Sequence, residues 1–261
     1  MMTRHILYPI AIAALSTIAI TAARADMLAA LSGDATLSII DSKAKKITRT
    51  VTVTGIAGKL AGIDVRPADG VLYALAVDGT LYTVDTSTGK ATMKVKLETM
   101  VAAGPTVVDF NPVADRLRVI GADGTNLRAN VDDGKVITDK PLNYAETDVN
   151  KGKTPKVTAG AYSNSFKGTK ETALYDIDAA LGTYLKQVPP NDGVLTSIGA
   201  TGVKANDVAF DIAADGNGGN TGHLIANGRL YTLDITSGKA TEQGTIQGLP
   251  ANVRDVAVIA N

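Results

Sequence analysis

The sequence of 261 residues contains no cysteine and no tryptophan, and it has only two histidines. Without cysteine there can be no disulfide scaffold, no thiolate metal site, no CxxC redox motif and no cysteine nucleophile. His5 and His223 alone cannot form a multi-histidine zinc or copper centre. An excess of one charge is also missing, because 26 Lys and Arg stand against 26 Asp and Glu. With 45% hydrophobic residues, the composition is typical of a globular protein rather than a disordered chain.

The N-terminus predicts a secretory signal peptide. A positively charged start precedes the apolar run 6–20, and the small residues Ala23 and Ala25 fit the A-x-A cleavage rule. The run is shorter than the roughly 20 residues that a transmembrane helix needs. We therefore expect residues 1–25 to be removed, and residues 26–261 to be exported to the periplasm or beyond without stable membrane insertion.

The mature chain is nearly neutral. Removal of residues 1–25 takes away Arg4 and Arg24 and no acid, so residues 26–261 carry 24 basic and 26 acidic groups. Such a balance provides no electrostatic footprint for nucleic acid. We expect no nucleic-acid partner.

An internal repeat divides the mature sequence. The segment LYTVDTSTGKAT at 81–92 recurs as LYTLDITSGKAT at 230–241, and weaker copies occupy 37–46 and 127–135. Each copy alternates apolar and polar residues around a turn rich in Asp, Ser and Gly. This pattern predicts a β-hairpin in each copy.

Extension of each copy gives four short strands in about 40 residues, which is the length of one β-propeller blade. The second strands of these units begin near Leu28, Leu72, Leu117, Leu174 and Leu224, at spacings of 44, 45, 57 and 50 residues. The sequence therefore predicts an all-β protein, a five-bladed propeller with four strands per blade.

The two ends of the chain predict how the ring closes. Residues 252–259 look like the first strand of a blade with nothing after it, whereas residues 27–31 look like a second strand with nothing before it. Together they complete one blade, which removes the exposed sheet edges that an open array would have. We expect the C-terminal strand to join the N-terminal blade, so that residues 26–261 form one domain.

Several segments carry a family resemblance: VDFNPVADRLRV at 108–119, NLR at 126–128, LNYA at 142–145, AYSNS at 161–165, LYDID at 174–178 and PPNDG at 189–193. They resemble the bacterial secreted family catalogued as domain of unknown function 4394, and the likeness covers nearly the whole mature chain. The resemblance implies an exported, propeller-like protein and no catalytic activity. The sequence departs from the family pattern in the basic run around Lys151, Lys153 and Lys156, and at Asp255, where a small residue is usual.

The innermost strands of a propeller line its central channel. When the five predicted inner strands are aligned, four carry an aspartate at one register, namely Asp64, Asp109, Asp211 and Asp255. A ring of carboxylates could coordinate a hard cation such as calcium, or provide an acid and a base for glycoside hydrolysis. The other interpretation is structural, with each carboxylate accepting hydrogen bonds from backbone N–H groups of the next blade. We favour the structural role because buried polar groups usually serve the fold.

A second candidate site is the loop 215–223. Asp215, Asn217 and Asn220 alternate with glycines like the start of a calcium loop, but the bidentate glutamate that completes an EF-hand is missing. The glycines are equally typical of a flexible surface loop, which is the interpretation we favour. No cofactor is expected, with calcium the one possibility left open here.

A third candidate is a polar pocket beside the long connection 144–156. The residues that would line it are Asn126, Arg128, Tyr144, Tyr162 and Asn164. Insertions in repeat folds collect on one face, and that face often binds ligands. A solvated loop of tolerated length is an equally good interpretation.

Two functions remain open. One is a non-enzymatic exported propeller that binds a small molecule or a protein at the channel mouth. The other is a glycan hydrolase that uses two of the four channel aspartates. Sugar sites depend on aromatic platforms, and the mature chain has no tryptophan and few aromatic residues. We therefore favour the binding scaffold.

Overall fold

The computed structural model describes residues 26–205, 207–250 and 252–259. The predicted signal peptide, 1–25, lies outside the described residues. Within these ranges the regular structure is β-strand, apart from one 3₁₀ turn at Pro190–Asp192. The same ranges contain no helix with the length and apolar character that a membrane crossing requires.

The strands form five blades, each with four antiparallel strands, and one blade carries an additional fifth strand. The closing blade contains β1 (Met27–Ser32), β2 (Thr36–Asp41) and β3 (Lys46–Thr52). Blade 1 contains β4 (Leu60–Arg66), β5 (Val71–Ala76), β6 (Thr80–Val84) and β7 (Ala91–Lys96). Blade 2 contains β8 (Thr106–Asn111), β9 (Arg116–Gly121), β10 (Asn126–Ala129) and β11 (Val136–Thr138).

The remaining strands complete the ring. Blade 3 contains β12 (Asn143–Tyr144), β13 (Val157–Tyr162), β14 (Leu174–Asp178), β15 (Thr183–Gln187) and β16 (Val194–Ala200). The extra strand β12 comes from the long connection and pairs in parallel with β16. Blade 4 contains β17 (Val208–Ala214), β18 (Asn220–Ala226), β19 (Arg229–Leu233) and β20 (Ala240–Thr245), and β21 (Val253–Ile259) is the innermost strand of the closing blade.

The innermost strands contact one another in a closed circle. The order of contact is β4, β8, β13, β17, β21 and back to β4. Apolar side chains fill the spaces between adjacent blades, as in the cluster where Leu31 of the closing blade meets Ile63 and Leu72 of blade 1. The predicted five-bladed propeller with four strands per blade is confirmed.

The predicted closure is also confirmed. Strand β21 pairs antiparallel with β1, from Met27 opposite Ile259 to Ser32 opposite Val253. Leu28 and Leu31 of β1 are fully buried in this arrangement. The C-terminal strand therefore covers an edge that would otherwise expose unpaired backbone groups.

The repeated turn motif serves to dock one blade on the next. In blade 1, Asp85 Oδ1 accepts a hydrogen bond from the Ser87 N–H at 2.7 Å, and the Gly89 N–H donates to the Asp85 carbonyl at 2.7 Å. Gly89 has a φ of 76°, and a Cβ there would overlap the carbonyl oxygen of Thr52 in the closing blade. The Thr54 N–H then donates to the Gly89 carbonyl at 2.9 Å. The glycine is thus required both by the turn and by close packing against the preceding blade.

The same contact recurs between blades 1 and 2. Gly134 has a φ of 77°, and a Cβ on it would overlap the carbonyl oxygen of Lys96. The Glu98 N–H donates to the Gly134 carbonyl at 3.0 Å. The turn that runs from Asp85 to Gly89, and from Asn130 to Gly134 in the weaker copy, therefore encodes blade-to-blade packing as well as a hairpin.

Candidate axial carboxylate site

The four aspartates of the predicted register all lie on innermost strands. Their positions are Asp64 on β4, Asp109 on β8, Asp211 on β17 and Asp255 on β21. The side chains are buried, with exposed fractions between 4% and 8%. The alignment of the inner strands therefore predicted a group of acidic residues that the fold brings to the propeller axis.

Each of these carboxylates receives a backbone hydrogen bond from another inner strand. The donor and acceptor pairs are Ile63 N–H to Asp255 Oδ2 (2.7 Å), Phe110 N–H to Asp64 Oδ2 (2.6 Å), Tyr162 N–H to Asp109 Oδ1 (2.9 Å) and Val258 N–H to Asp211 Oδ2 (2.6 Å). In every pair the donor belongs to the blade that follows the acceptor around the ring. These are the contacts expected under the structural interpretation, since they bind adjacent blades near the axis.

The second carboxylate oxygen distinguishes Asp109 from the other three. Asp64, Asp211 and Asp255 each accept a further bond at Oδ1 from the N–H of the next residue, at 2.6, 2.6 and 2.9 Å. For Asp109 that next residue is Phe110, whose N–H already donates to Asp64. Among the described residues, the Tyr162 N–H alone donates to Asp109.

Three of the carboxylates converge. Asp64, Asp109 and Asp211 each present one oxygen, and these oxygens lie within 4.8 Å of one another. Burial raises the pKa of Asp64 and Asp109 well above the ordinary value, and the charge of Asp211 raises the Asp64 pKa further. Burial also raises the pKa of Asp211, against the opposing effect of its backbone hydrogen bonds. Close acidic groups in a poorly solvated position have this effect because their ionised forms repel one another.

Blade 3 breaks the ring. Ala161 occupies the aspartate register there, and the preceding residue, Gly160, pairs with Asp176 on β14. Asp176 is fully buried, and neither of its carboxylate oxygens has a hydrogen-bond partner among the described residues. A Cβ on Gly160 would overlap Asp176 Oδ1, so the carboxyl group occupies the space that a larger inner residue would fill. Burial raises the pKa of Asp176 to about 8, and the nearby Arg118 partly offsets this.

Sequence reasoning missed Asp176, although a signal was present. At the corresponding second-strand position, blades 1, 2 and 4 carry the apolar residues Ala74, Val119 and Leu224. An aspartate at a position that is apolar in the sister blades indicates a buried acid. Alignment of the second strands, in addition to the first, identifies Asp176 as this buried acid.

A buried arginine organises the residues that were predicted to line a polar pocket. Arg118 has an exposed fraction of 1%, and it donates to Asn126 Oδ1 at 2.8 Å and to the Tyr162 hydroxyl at 3.2 Å. It also donates to Asp139 Oδ2 at 2.7 Å, and Arg128 donates to the same oxygen at 2.6 Å. Three of the five predicted residues, Asn126, Arg128 and Tyr162, are thus brought together by Arg118 and Asp139, which the sequence reasoning did not identify.

The other two predicted pocket residues lie in separate contacts. The Tyr144 hydroxyl donates to Asp178 Oδ2 at 2.7 Å within blade 3. Asn164 instead exchanges hydrogen bonds with Asn220 of blade 4, at 2.7 and 2.8 Å. The five residues therefore do not share one network.

The loop 215–223, which was weighed as a calcium site and interpreted as a surface loop, folds back on itself. Asp215 Oδ1 accepts hydrogen bonds from the N–H groups of Asn217 at 2.7 Å and Gly219 at 2.8 Å. The side chain of Asn220 is engaged with Asn164. The loop oxygens are thus directed into local turns and toward blade 3.

The closed circle of inner strands and the carboxylates on them define an all-β propeller. The chain matches the family described as "Domain of unknown function (DUF4394)" over residues 36–257, and it belongs to that family. No curated protein matches the chain.

Two solved structures to which the chain is similar are described as proteins of unknown function. A structural genomics protein of unknown function from Bacteroides thetaiotaomicron shares 12% sequence identity at a TM-score of 0.50, over 80% of this chain and 53% of that one. A protein of unknown function from Bacteroides caccae shares 14% identity at a TM-score of 0.45, over 91% of this chain and 100% of that one. The chain spans about half the length of the first of these proteins. That likeness shows the fold alone.

Proposed function

We propose that the protein is an exported, non-enzymatic β-propeller that acts as a rigid binding scaffold. The observation that carries the proposal is the use of the axial carboxylates as hydrogen-bond acceptors between blades. A glycosidase needs two carboxyl groups that reach a sugar from opposite sides. Here the three converging carboxylates are almost completely buried, and each accepts a hydrogen bond from a backbone N–H of the following blade. This arrangement supports a structural centre rather than an acid and base pair.

The ligand of the scaffold is proposed to be a small molecule or a protein that contacts the loops at the channel mouth. Such a function requires a rigid support and variable loops, and a closed ring of blades supplies the support. Of the three candidate pocket residues that belong to the Arg118 network, Arg128 is the partly exposed one, with 29% of its side chain accessible. It is therefore the position at which a ligand would meet that network.

Hydrolysis of a panel of chromogenic glycosides and plant and bacterial polysaccharides tests the non-enzymatic part of the proposal. The wild-type protein and Asp109→Asn should both release no more product than buffer. A wild-type activity that Asp109→Asn abolishes, while the exposed Asp215→Asn preserves it, would establish the hydrolase instead.

Export and binding are tested separately. Expression of the whole chain in a bacterium should deliver a periplasmic or secreted product whose intact mass begins at Asp26. Retention of residues 1–25 in a cytoplasmic product would contradict export.

A thermal-shift screen of soluble ligands should find compounds that raise the melting temperature, because a ligand that binds only the native state stabilises it. An Arg128→Ala variant that responds equally to every such compound would exclude the proposed mouth.

A further inference from the structure

The first residue after the predicted cleavage site is built into the fold. The carboxylate of Asp26 contacts His223 of blade 4, with 2.7 Å between Asp26 Oδ2 and His223 Nε2. An ionised carboxylate only accepts hydrogen bonds, so this nitrogen of the histidine carries a hydrogen. The His223 side chain is almost completely buried, and the Asp26 carbonyl accepts a hydrogen bond from the Ser42 N–H at 3.1 Å. Asp26 is therefore attached both to blade 4 and to the closing blade.

The residues that follow Asp26 are buried in the middle of a sheet. Strand β1 begins at Met27, and it pairs with β2 on one side and with β21 on the other. The side chains from Leu28 to Leu31 are fully buried. Proteases cut exposed, locally unfolded segments, whereas buried and hydrogen-bonded backbone resists them. In the closed ring, the segment on the carboxyl-terminal side of the bond between Ala25 and Asp26 is not available in a form that a protease can bind.

The order of the strands keeps this segment open until the chain is complete. The inner neighbour of β1 is β21 (Val253–Ile259), the described strand nearest the carboxyl terminus. Without β21, one edge of β1 is unpaired, and the apolar cluster in which Leu28 meets Val253 and Val256 is incomplete. A chain that crosses a membrane from its amino terminus therefore presents the cleavage site before it can close the ring.

We propose that the bond between Ala25 and Asp26 is hydrolysed only while the propeller is open, and that ring closure then seals the new amino terminus against blade 4. Water adds across the peptide bond and leaves a carboxylate on Ala25 and an amino group on Asp26. This order of events rests on the export proposed above, since it requires that residues 1–25 are a signal peptide. A folded precursor is then a poor substrate for the peptidase that recognises the A-x-A site.

The test uses the full chain, 1–261, purified in detergent micelles and incubated with a bacterial signal peptidase, with intact mass as the readout. Precursor that is unfolded in urea and diluted directly into the peptidase should be cut before Asp26. Precursor that has first folded, as shown by a cooperative melting transition, should be cut at least about 100-fold more slowly. The reason is that cleavage through an open form follows the small population of that form.

The matched control carries a flexible linker of about twelve residues, aspartate first and then glycine and serine, between Ala25 and Asp26. The linker moves the cleavage sequence away from the fold, so the folded control should be cut as fast as the unfolded one. A folded wild-type precursor that is cut as fast as this control overturns the proposal. A precursor that resists the peptidase even when unfolded instead removes the cleavage site, and with it the signal peptide of the proposed function.

Pulse labelling in an exporting bacterium decides the question if the precursor does not fold in micelles. Chains that resist an added protease should already have the mature mass at the earliest time points. A protease-resistant precursor that is later converted into the mature form contradicts cleavage before closure.

Discussion

The buried carboxyl group of Asp176 should make the stability of the propeller fall as the pH rises. Asp176 lies between blades 2 and 3, with no exposed surface and no hydrogen-bond partner among the described residues. Burial raises its pKa to about 8, with Arg118 of blade 2 as the opposing charge. The native state therefore holds a proton on Asp176 at neutral pH, whereas the unfolded chain, with a pKa near 3.8, does not.

The sign and size of the effect follow from proton linkage. Between the unfolded and the folded pKa, the native state binds one more proton than the unfolded state, so each pH unit lowers the free energy of unfolding by about 1.4 kcal/mol. This loss of stability is absent well below pH 4 and complete above pH 8. Between pH 5 and pH 7, the wild-type protein should lose about 3 kcal/mol relative to a variant without this acid.

The variant is Asp176→Asn, which keeps the shape and removes the titration. Urea denaturation of both proteins at pH 5, 6, 7 and 8 measures the difference, and the axial aspartates titrate in both and so cancel. Asp178→Asn on the same strand is the control, because Asp178 accepts three hydrogen bonds and its replacement should be destabilising already at pH 5. A difference between wild type and Asp176→Asn that stays constant from pH 5 to pH 8 would show that Asp176 is ionised and refute the reasoning.

Four further changes test the packing. Deletion of residues 253–261 removes β21 and should produce aggregation or a lower melting temperature, and an unchanged transition would exclude the closure as a source of stability. Gly58→Ala should cost about 1 kcal/mol because φ is 78° in open space. Gly89→Ala, at a φ of 76°, should cost clearly more because its Cβ meets Thr52, and equal losses on urea denaturation would contradict the docking role. Tyr144→Phe leaves Asp178 Oδ2 one donor short and should cost about 1–2 kcal/mol by the same measurement, whereas no loss would mean the bond adds nothing.

The fold could be predicted because its determinants are local and repeated. The alternation in 81–92 and its copy at 230–241 defined hairpins, and the spacing of the second strands gave the number of blades. The two incomplete ends could be matched because each lacked what the other supplied. All three arguments depend on patterns along the chain, which sequence shows directly.

The axial aspartates were predictable for the same reason, since equivalent residues of equivalent strands meet at the axis of a closed ring. Contacts between the side faces of different blades could not be predicted from the sequence. Arg118 and Asp139 lie in neighbouring parts of the chain, but their ion pair also involves Asn191 of blade 3. Sequence spacing does not indicate which side chains will face each other across two blades.

The departures from fivefold repetition collect at the interface between blades 2 and 3. Blade 3 has Ala161 in place of the axial aspartate, so no carboxylate of the ring bridges from it to blade 4. On the second strand of the same blade, the buried Asp176 occupies a position that is apolar in the sister blades. On the blade 2 side, Asp109 is the axial acid with one oxygen left unbonded by described residues, and its neighbour across the strands is the buried Arg118. Repetition alone is sufficient for a propeller, and extra buried charge at one interface weakens it unless that charge is compensated. A proton on Asp176 removes the charge that burial disfavours on the blade 3 side of this interface, which is why its stability should respond to pH.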